Sequence, residues 1–179
     1  MMYYKKIGRM ITTSYRNKIY VAFDGDTDMT YYRTLQMWKT NRNIDFDFYD
    51  AHDLNSARDS SLTESIKNQL RIRFDNSKLF MIIVGDNTKW NRKFIPWEID
   101  QALNRDMPIV VTYINNSKKI DSNKCPLPLR DKLAIHIPFK AKIIQYAFNN
   151  WPTSFENHKN NGDTGAYYYL EAIYEKLGL

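Results

Sequence analysis

The sequence predicts an α/β protein: a five-stranded parallel sheet in the flavodoxin-like order 2-1-3-4-5, with helices on both faces. Three observations carry this. Between Lys18 and Ile137, apolar runs of strand length alternate with segments of helical periodicity. Two of those runs, Lys78–Val84 and Pro108–Ile114, are apolar on both faces, as central parallel strands covered by helices must be. The length, 179 residues, is that of one domain able to bury a full core.

The elements follow in order. Lys18–Asp24 (KIYVAFD) is β-branched and aromatic, ends in acid and glycine, and is predicted as the first strand. Asp28–Asn41 places Met29, Tyr32, Leu35, Gln36 and Trp38 or Lys39 at helical spacing. Ile44–Tyr49 alternates apolar residues with aspartates, the pattern of an edge strand with one wet face. A loop over Asp50–Ser60 leads to Ser61 and Glu64, a capping-box pair that opens a helix with Leu62, Ile66, Leu70 and Phe74 on one stripe. After the strand Lys78–Val84 comes a polar and aromatic loop, Gly85–Ile95. Pro96 suits a first helical position, and the helix runs through Asp106. Pro108–Ile114 is the fourth strand, Asn115–Arg130 a polar, proline-bearing connection, and Leu133–Ile137 a short fifth strand. Helices over Ala141–Asn150 and Ala166–Leu177, joined by the polar loop Trp151–Gly165, complete the chain. The order βαβαβαβ implies right-handed crossovers. The expected organisation is a basic N-terminal arm (1–17), an α/β domain (18–138) and a helical extension (139–179) packed on that domain.

Composition narrows the function. At 43% hydrophobic and 26% charged residues the chain is an ordinary globular protein. Its longest strongly apolar run, Leu79–Val84, is far short of the roughly 18 residues of a membrane span, so no membrane partner is expected. The N-terminus has no apolar h-region, and Cys125 is the single cysteine, so a reduced, cytoplasmic setting is expected. The net charge of +6 is unevenly spread. Residues 1–20 carry five cations and no acid, whereas residues 24–64 carry nine acids against four cations. The basic excess is thus partly an N-terminal arm followed by an acidic segment, not the basic face with interleaved aromatics that nucleic acid requires.

Familiar chemical motifs are missing. There is no GxGxxG after a strand, no GxxxxGK[ST], no CxxC and no HExxH, and His52, His136 and His158 are scattered. No metal site is expected, and catalysis would rest on carboxylates. In a sheet of this order ligands bind beyond the carboxyl ends of the strands, where the first and third strands diverge, which singles out the loops Asp24–Asp28 and Gly85–Ile95. The first, Asp24-Gly-Asp-Thr-Asp28, is also an ordinary turn with a helix N-cap. The second leads to Glu98, whose plain alternative is a first-turn acid worth about 0.3–1 kcal/mol against the helix dipole. What sets Glu98 apart is its company: Trp90, Phe94 and Trp97, with Asn91, Arg92 and Lys93 between them. Aromatic faces, cations and a carboxylate together suit a nucleotide with its ring, pyrophosphate and ribose diol.

These residues also carry a resemblance. Val21-Ala-Phe-Asp24 with its acidic loop, Leu79–Val84 with Gly85-Asp-Asn-Thr88, the segment Asn91-Arg-Lys-Phe-Ile-Pro-Trp-Glu98-Ile, and Pro108–Asn115 resemble the TIR-like domains of bacterial anti-phage defence, most closely the NAD-consuming TIR subunit of Thoeris systems. The resemblance spans about Lys18–Asn115 and departs from the family in the acidity of Gly25–Asp28. It implies a TIR fold and places the family's catalytic glutamate at Glu98. NAD is then a substrate, with no cofactor, and the product is a cyclic ADP-ribose-type signal received by a separate effector protein. Phe23 and Asp24 are candidate contacts at the edge of the first strand, Arg92 a candidate phosphate contact, and Trp90 and Trp97 candidate stacking partners or walls. A homo-oligomer on activation is expected. Two alternatives stay open: a non-catalytic TIR-like module that only self-associates, and a phospho-receiver, which lacks a phosphorylatable aspartate where Val84-Gly85 ends the third strand.

Overall fold

A computed structural model describes residues 19–43, 48–49, 63–92 and 94–179. Six parallel strands form one sheet in the order β2-β1-β3-β4-β5-β6. They are β1 (Ile19–Ala22), β2 (Phe48–Tyr49), β3 (Leu79–Val84), β4 (Ile109–Tyr113), β5 (Ala134–Pro138) and β6 (Ala166–Tyr167). The first five follow the predicted order. The helices are α1 (Met29–Thr40), α2 (Thr63–Asp75), α3 (Ile95–Asn104), α4 (Ala141–Asn160) and α5 (Glu171–Leu177).

Alternation along the strands divides the core in two. One face carries Ile19, Val21, Leu79, Met81, Ile83, Val110, Ile135 and Ile137 against α1, α4 and α5. The other carries Tyr20, Ala22, Phe80, Ile82, Val84, Val111 and Tyr113 against α2 and α3, through Leu70, Phe74, Ile95, Ile99 and Ala102. Every residue of β1, β3, β4 and β5 is buried, which explains their unbroken apolar runs.

Two expectations for the C-terminal third are corrected. Pro152 and the polar residues after it were expected to lie in a loop from Trp151; instead α4 continues through Pro152 to Asn160. Its stripe, Ile143, Ile144, Ala147, Phe148, Trp151 and Phe155, keeps helical spacing across the proline, and burying Trp151 and Phe155 outweighs the one backbone donor that proline lacks. Ala166 was expected to start the last helix; instead Ala166 and Tyr167 pair with Ala134 and Ile135 as a sixth strand, and α5 starts at Glu171. The basic arm, the loop Asp50–Ser60, Ser61 of the capping box and most of the second strand lie outside the described residues.

Candidate functional site

The carboxyl ends of β1 and β3 are adjacent, since Ala22 pairs with Ile82. The segments that leave them, 23–28 and 85–88, lie side by side and are locked by Asp28. Asp28 sits at the N-cap position of α1, but its carboxylate caps no helix N–H. It is 2% exposed and turns across to the neighbouring loop, where the Thr88 hydroxyl donates to Oδ2 at 3.0 Å. That hydroxyl in turn accepts the Gly85 N–H at 2.7 Å. Gly85 is required by this close approach, because a Cβ there would lie 2.1 Å from Asp28 Oδ1. Burial raises the Asp28 carboxyl above the ordinary range; the Thr88 hydrogen bond opposes this and the neighbouring Asp24 adds to it. Asp24 is also buried; its Oδ1 accepts the Asp26 N–H at 3.0 Å and its carbonyl accepts the Asp28 N–H at 2.8 Å. The acidic loop is therefore a braced turn. On the other side, Asp86 pairs with Lys124 and the Lys89 ammonium donates to the Asn123 carbonyl, clipping the β3–α3 connection to the β4–β5 connection.

Glu98 lies in the first turn of α3, its N–H donating to the Phe94 carbonyl at 2.8 Å. It occupies the buried stripe Ile95, Glu98, Ile99, Ala102, the helix face turned to the sheet. Only 6% of the residue is exposed. Its partner is one that sequence reasoning missed: the Tyr20 hydroxyl of β1 donates to Glu98 Oε1 at 2.7 Å. The Tyr20 ring is fully buried, stacked on Phe74 of α2 with centroids 3.7 Å apart and planes 14° apart. Burial pushes the Glu98 carboxyl from 4.5 up to about 7, and the Tyr20 hydrogen bond pulls the other way. A signal for Tyr20 was present in the sequence: a tyrosine inside a strand with both faces covered needs a partner for its hydroxyl.

The other candidates are distributed around this centre. Phe23 is half-buried and stacks on Tyr32 of α1, centroids 4.3 Å apart. Trp97, one residue from Glu98 and so about 100° round the helix, meets Phe74 edge-on at 6.1 Å, with the Arg71 and Lys67 cations 5.6 and 5.8 Å from its ring centre. It packs on α2. Trp90 is 63% exposed, with the Lys89 ammonium 4.6 Å from its ring centre, and Arg92 is exposed. The rings of Trp90 and Trp97 thus serve different surroundings, one open to solvent and one held to a helix. A separate cavity of about 260 Å³ lies at the opposite edge of the sheet, lined by Leu103, Met107, Ile109, Leu133 and Phe155. Among the described residues no helix is long and apolar enough to cross a membrane.

A doubly wound parallel sheet with a buried carboxylate on the helix that follows β3 defines the class: an α/β domain whose topological switch point lies between β1 and β3. The family model for the Thoeris protein ThsB, TIR-like domain, matches residues 20–119, more than half of the chain, and the chain belongs to that family. The match takes in Tyr20, Asp24, Asp28, Thr88 and Glu98 and ends before β5. No curated protein matches the chain.

Proposed function

We propose that this chain cleaves the nicotinamide–ribose bond of NAD, with Glu98 as the catalytic carboxylate, and releases a cyclic ADP-ribose-type signal to a separate effector. The observation that supports the reading is Glu98 itself. A carboxylate on the core face of a helix, held by a tyrosine hydroxyl at 2.7 Å, is costly to maintain. A pKa of about 7 marks a group poised for chemistry.

The chemistry fits a lone carboxylate. The pyridinium of NAD is already a cationic leaving group; the C1′–N bond breaks with its electron pair going to nicotinamide, so no general acid is needed. The ribosyl group develops oxocarbenium character. Ionised Glu98 accepts hydrogen bonds from the ribose diol and stabilises that positive charge. Oε1 is occupied by Tyr20, and Oε2 accepts no hydrogen bond among the described residues. The C1′ cation is then captured. A hydroxyl or ring nitrogen of the same molecule gives a cyclic product with loss of a proton; water gives ADP-ribose and a proton. Well-oriented intramolecular attack reaches effective molarities of about 10⁵ M or more, which favours the cyclic outcome when the adenosine half is folded over the ribose. Trp90 is a candidate platform for a ring, and Arg92 for the pyrophosphate.

The near-complete burial of Glu98 favours a second reading for the resting chain, a TIR-like module that self-associates without chemistry. Incubation with NAD at low and high protein concentration, followed by mass spectrometry, separates the two. Nicotinamide release lost in Glu98→Gln supports the enzyme. Release in neither wild type nor variant at any concentration refutes it. A cyclic product is lighter than ADP-ribose by one water, and a specific activity that rises with concentration is the signature of activation by assembly.

A further inference from the structure

We propose that Tyr20 is the positioning residue of this site: its phenol, immobilised by the stack on Phe74, donates to Glu98 Oε1 and holds the carboxylate ionised and oriented for the ribose. The inference rests on the NAD-cleaving reading above and adds a residue to it.

Three features of geometry support it. Tyr20 is a strand residue in the centre of the sheet, registered against Tyr49 of β2 on one side and Phe80 of β3 on the other. Its ring has no room to swing: Phe74 is stacked at 3.7 Å, Phe80 lies at 5.9 Å, and nothing of it reaches solvent. The hydroxyl is therefore a fixed donor, and its acceptor lies 78 positions away on α3, so the bond ties the helix that carries the carboxylate to the strand beneath it.

The chemistry of the donor matters as much as its place. A phenol is neutral, so it favours the carboxylate anion without cancelling the negative charge that an oxocarbenium ion requires; an arginine or lysine in its place would neutralise both. Burial and the adjacent Glu98 hold the Tyr20 hydroxyl protonated far into the alkaline range, so it remains a donor wherever the enzyme works. The charged groups nearby are few. Arg73 of α2 acts weakly on the phenol, and the Lys67 and Arg71 cations of the same helix sit over Trp97. β3 presents Phe80 and α3 presents Ile95 and Ile99 to this layer of the core. Among the described residues Tyr20 is the one hydrogen-bond donor to the Glu98 side chain.

Tyr20→Phe tests this, since it keeps the ring and its stack and removes one oxygen. Two measurements are paired. The first is NAD cleavage by wild type and variant across the neutral pH range. Loss of the donor should lower kcat near neutral pH by about tenfold or more, move the acidic limb of the kcat profile to higher pH, and leave KM within about twofold. The second is the titration of the Glu98 carboxyl by NMR on glutamate-labelled protein, assigned with Glu98→Gln, in which the midpoint should rise in Tyr20→Phe. A variant that keeps the wild-type pH limb and kcat, with an unmoved titration, overturns the proposal. If wild type leaves NAD intact while the titration moves, the NAD reading falls and the Tyr20–Glu98 coupling stands, so the two failures are distinct. Should Tyr20→Phe fail to fold, Phe74→Leu loosens the ring while keeping the hydroxyl; a smaller shift in the same direction is expected, and no shift overturns the proposal.

Discussion

Replacing Glu98 by glutamine should abolish NAD cleavage and at the same time make the protein more stable at neutral and alkaline pH. As an ordinary first-turn acid, Glu98 would be worth about 0.3–1 kcal/mol against the helix dipole, and its neutralisation would cost that much. The structure reverses the sign. Burial lifts the carboxyl from 4.5 to about 7, and each tenfold change in proton affinity is worth about 1.36 kcal/mol, so the fully ionised side chain carries roughly 3 kcal/mol of destabilisation. Below about pH 4.5 the group is neutral in folded and unfolded chains alike and the cost is absent. It grows as pH rises from about 4.5 to about 7, because the unfolded chain releases its proton first, and is constant above that. Glutamine keeps the shape and can still accept from Tyr20. Allowing for the lost dipole attraction, the variant should be about 2 kcal/mol more stable than wild type near pH 8, a gain in Tm of roughly 4–8 °C for a chain of this size, and equal to it near pH 4. Urea titrations of both proteins across that range measure the difference directly, and the other titrating groups cancel between them. A variant no more stable than wild type at pH 8, or a gap that does not close on acidification, would refute the account of Glu98 as a buried anion.

Gly85→Ala should destabilise by about 1–3 kcal/mol in urea, because the new methyl would lie 2.1 Å from Oδ1 of the buried Asp28 carboxylate, whose other oxygen is held by the Thr88 hydroxyl. Thr88→Val should cost a similar amount, about 1–3 kcal/mol, by leaving the Asp28 carboxylate and the Gly85 N–H each short of a partner; calorimetry at neutral pH checks it, and a loss confined to acid would count against it. His136 is fully buried and its imidazole is held down from 6.5 to about 4, so the unfolded chain takes up its proton first. Stability from this residue should fall as pH drops from about 6.5 to about 4, by roughly 3 kcal/mol in all, and His136→Phe should flatten that slope. Trp90→Ala should leave Tm unchanged, since the ring is exposed, and should raise KM for NAD severalfold if the ring stacks on the substrate; an unchanged KM removes Trp90 from the site.

Much of this was legible in the sequence, for a local reason. The strands β1, β3, β4 and β5 declare themselves because each is covered on both faces and must be apolar throughout, and the parallel order follows from the helices between them. Glu98 was legible from the aromatic and basic residues before it, and it stands where Ile95, Ile99 and Ala102 mark the core face of α3. What depended on tertiary structure was every relation between distant residues. Pro152 marks a helix end on local grounds, yet burial of Trp151 and Phe155 against the sheet carries α4 past it. Ala166 and Tyr167 suit a helix or a strand, and the open edge of β5 decides. Asp28 suits an N-cap, but a threonine 60 positions away claims its carboxylate. Tyr20 is an unremarkable strand residue until folding brings α3 over β1. Its hydroxyl then meets a carboxylate that water can no longer solvate, and the packing of a helix on a sheet sets the proton affinity of Glu98, with burial raising it and the Tyr20 hydrogen bond opposing.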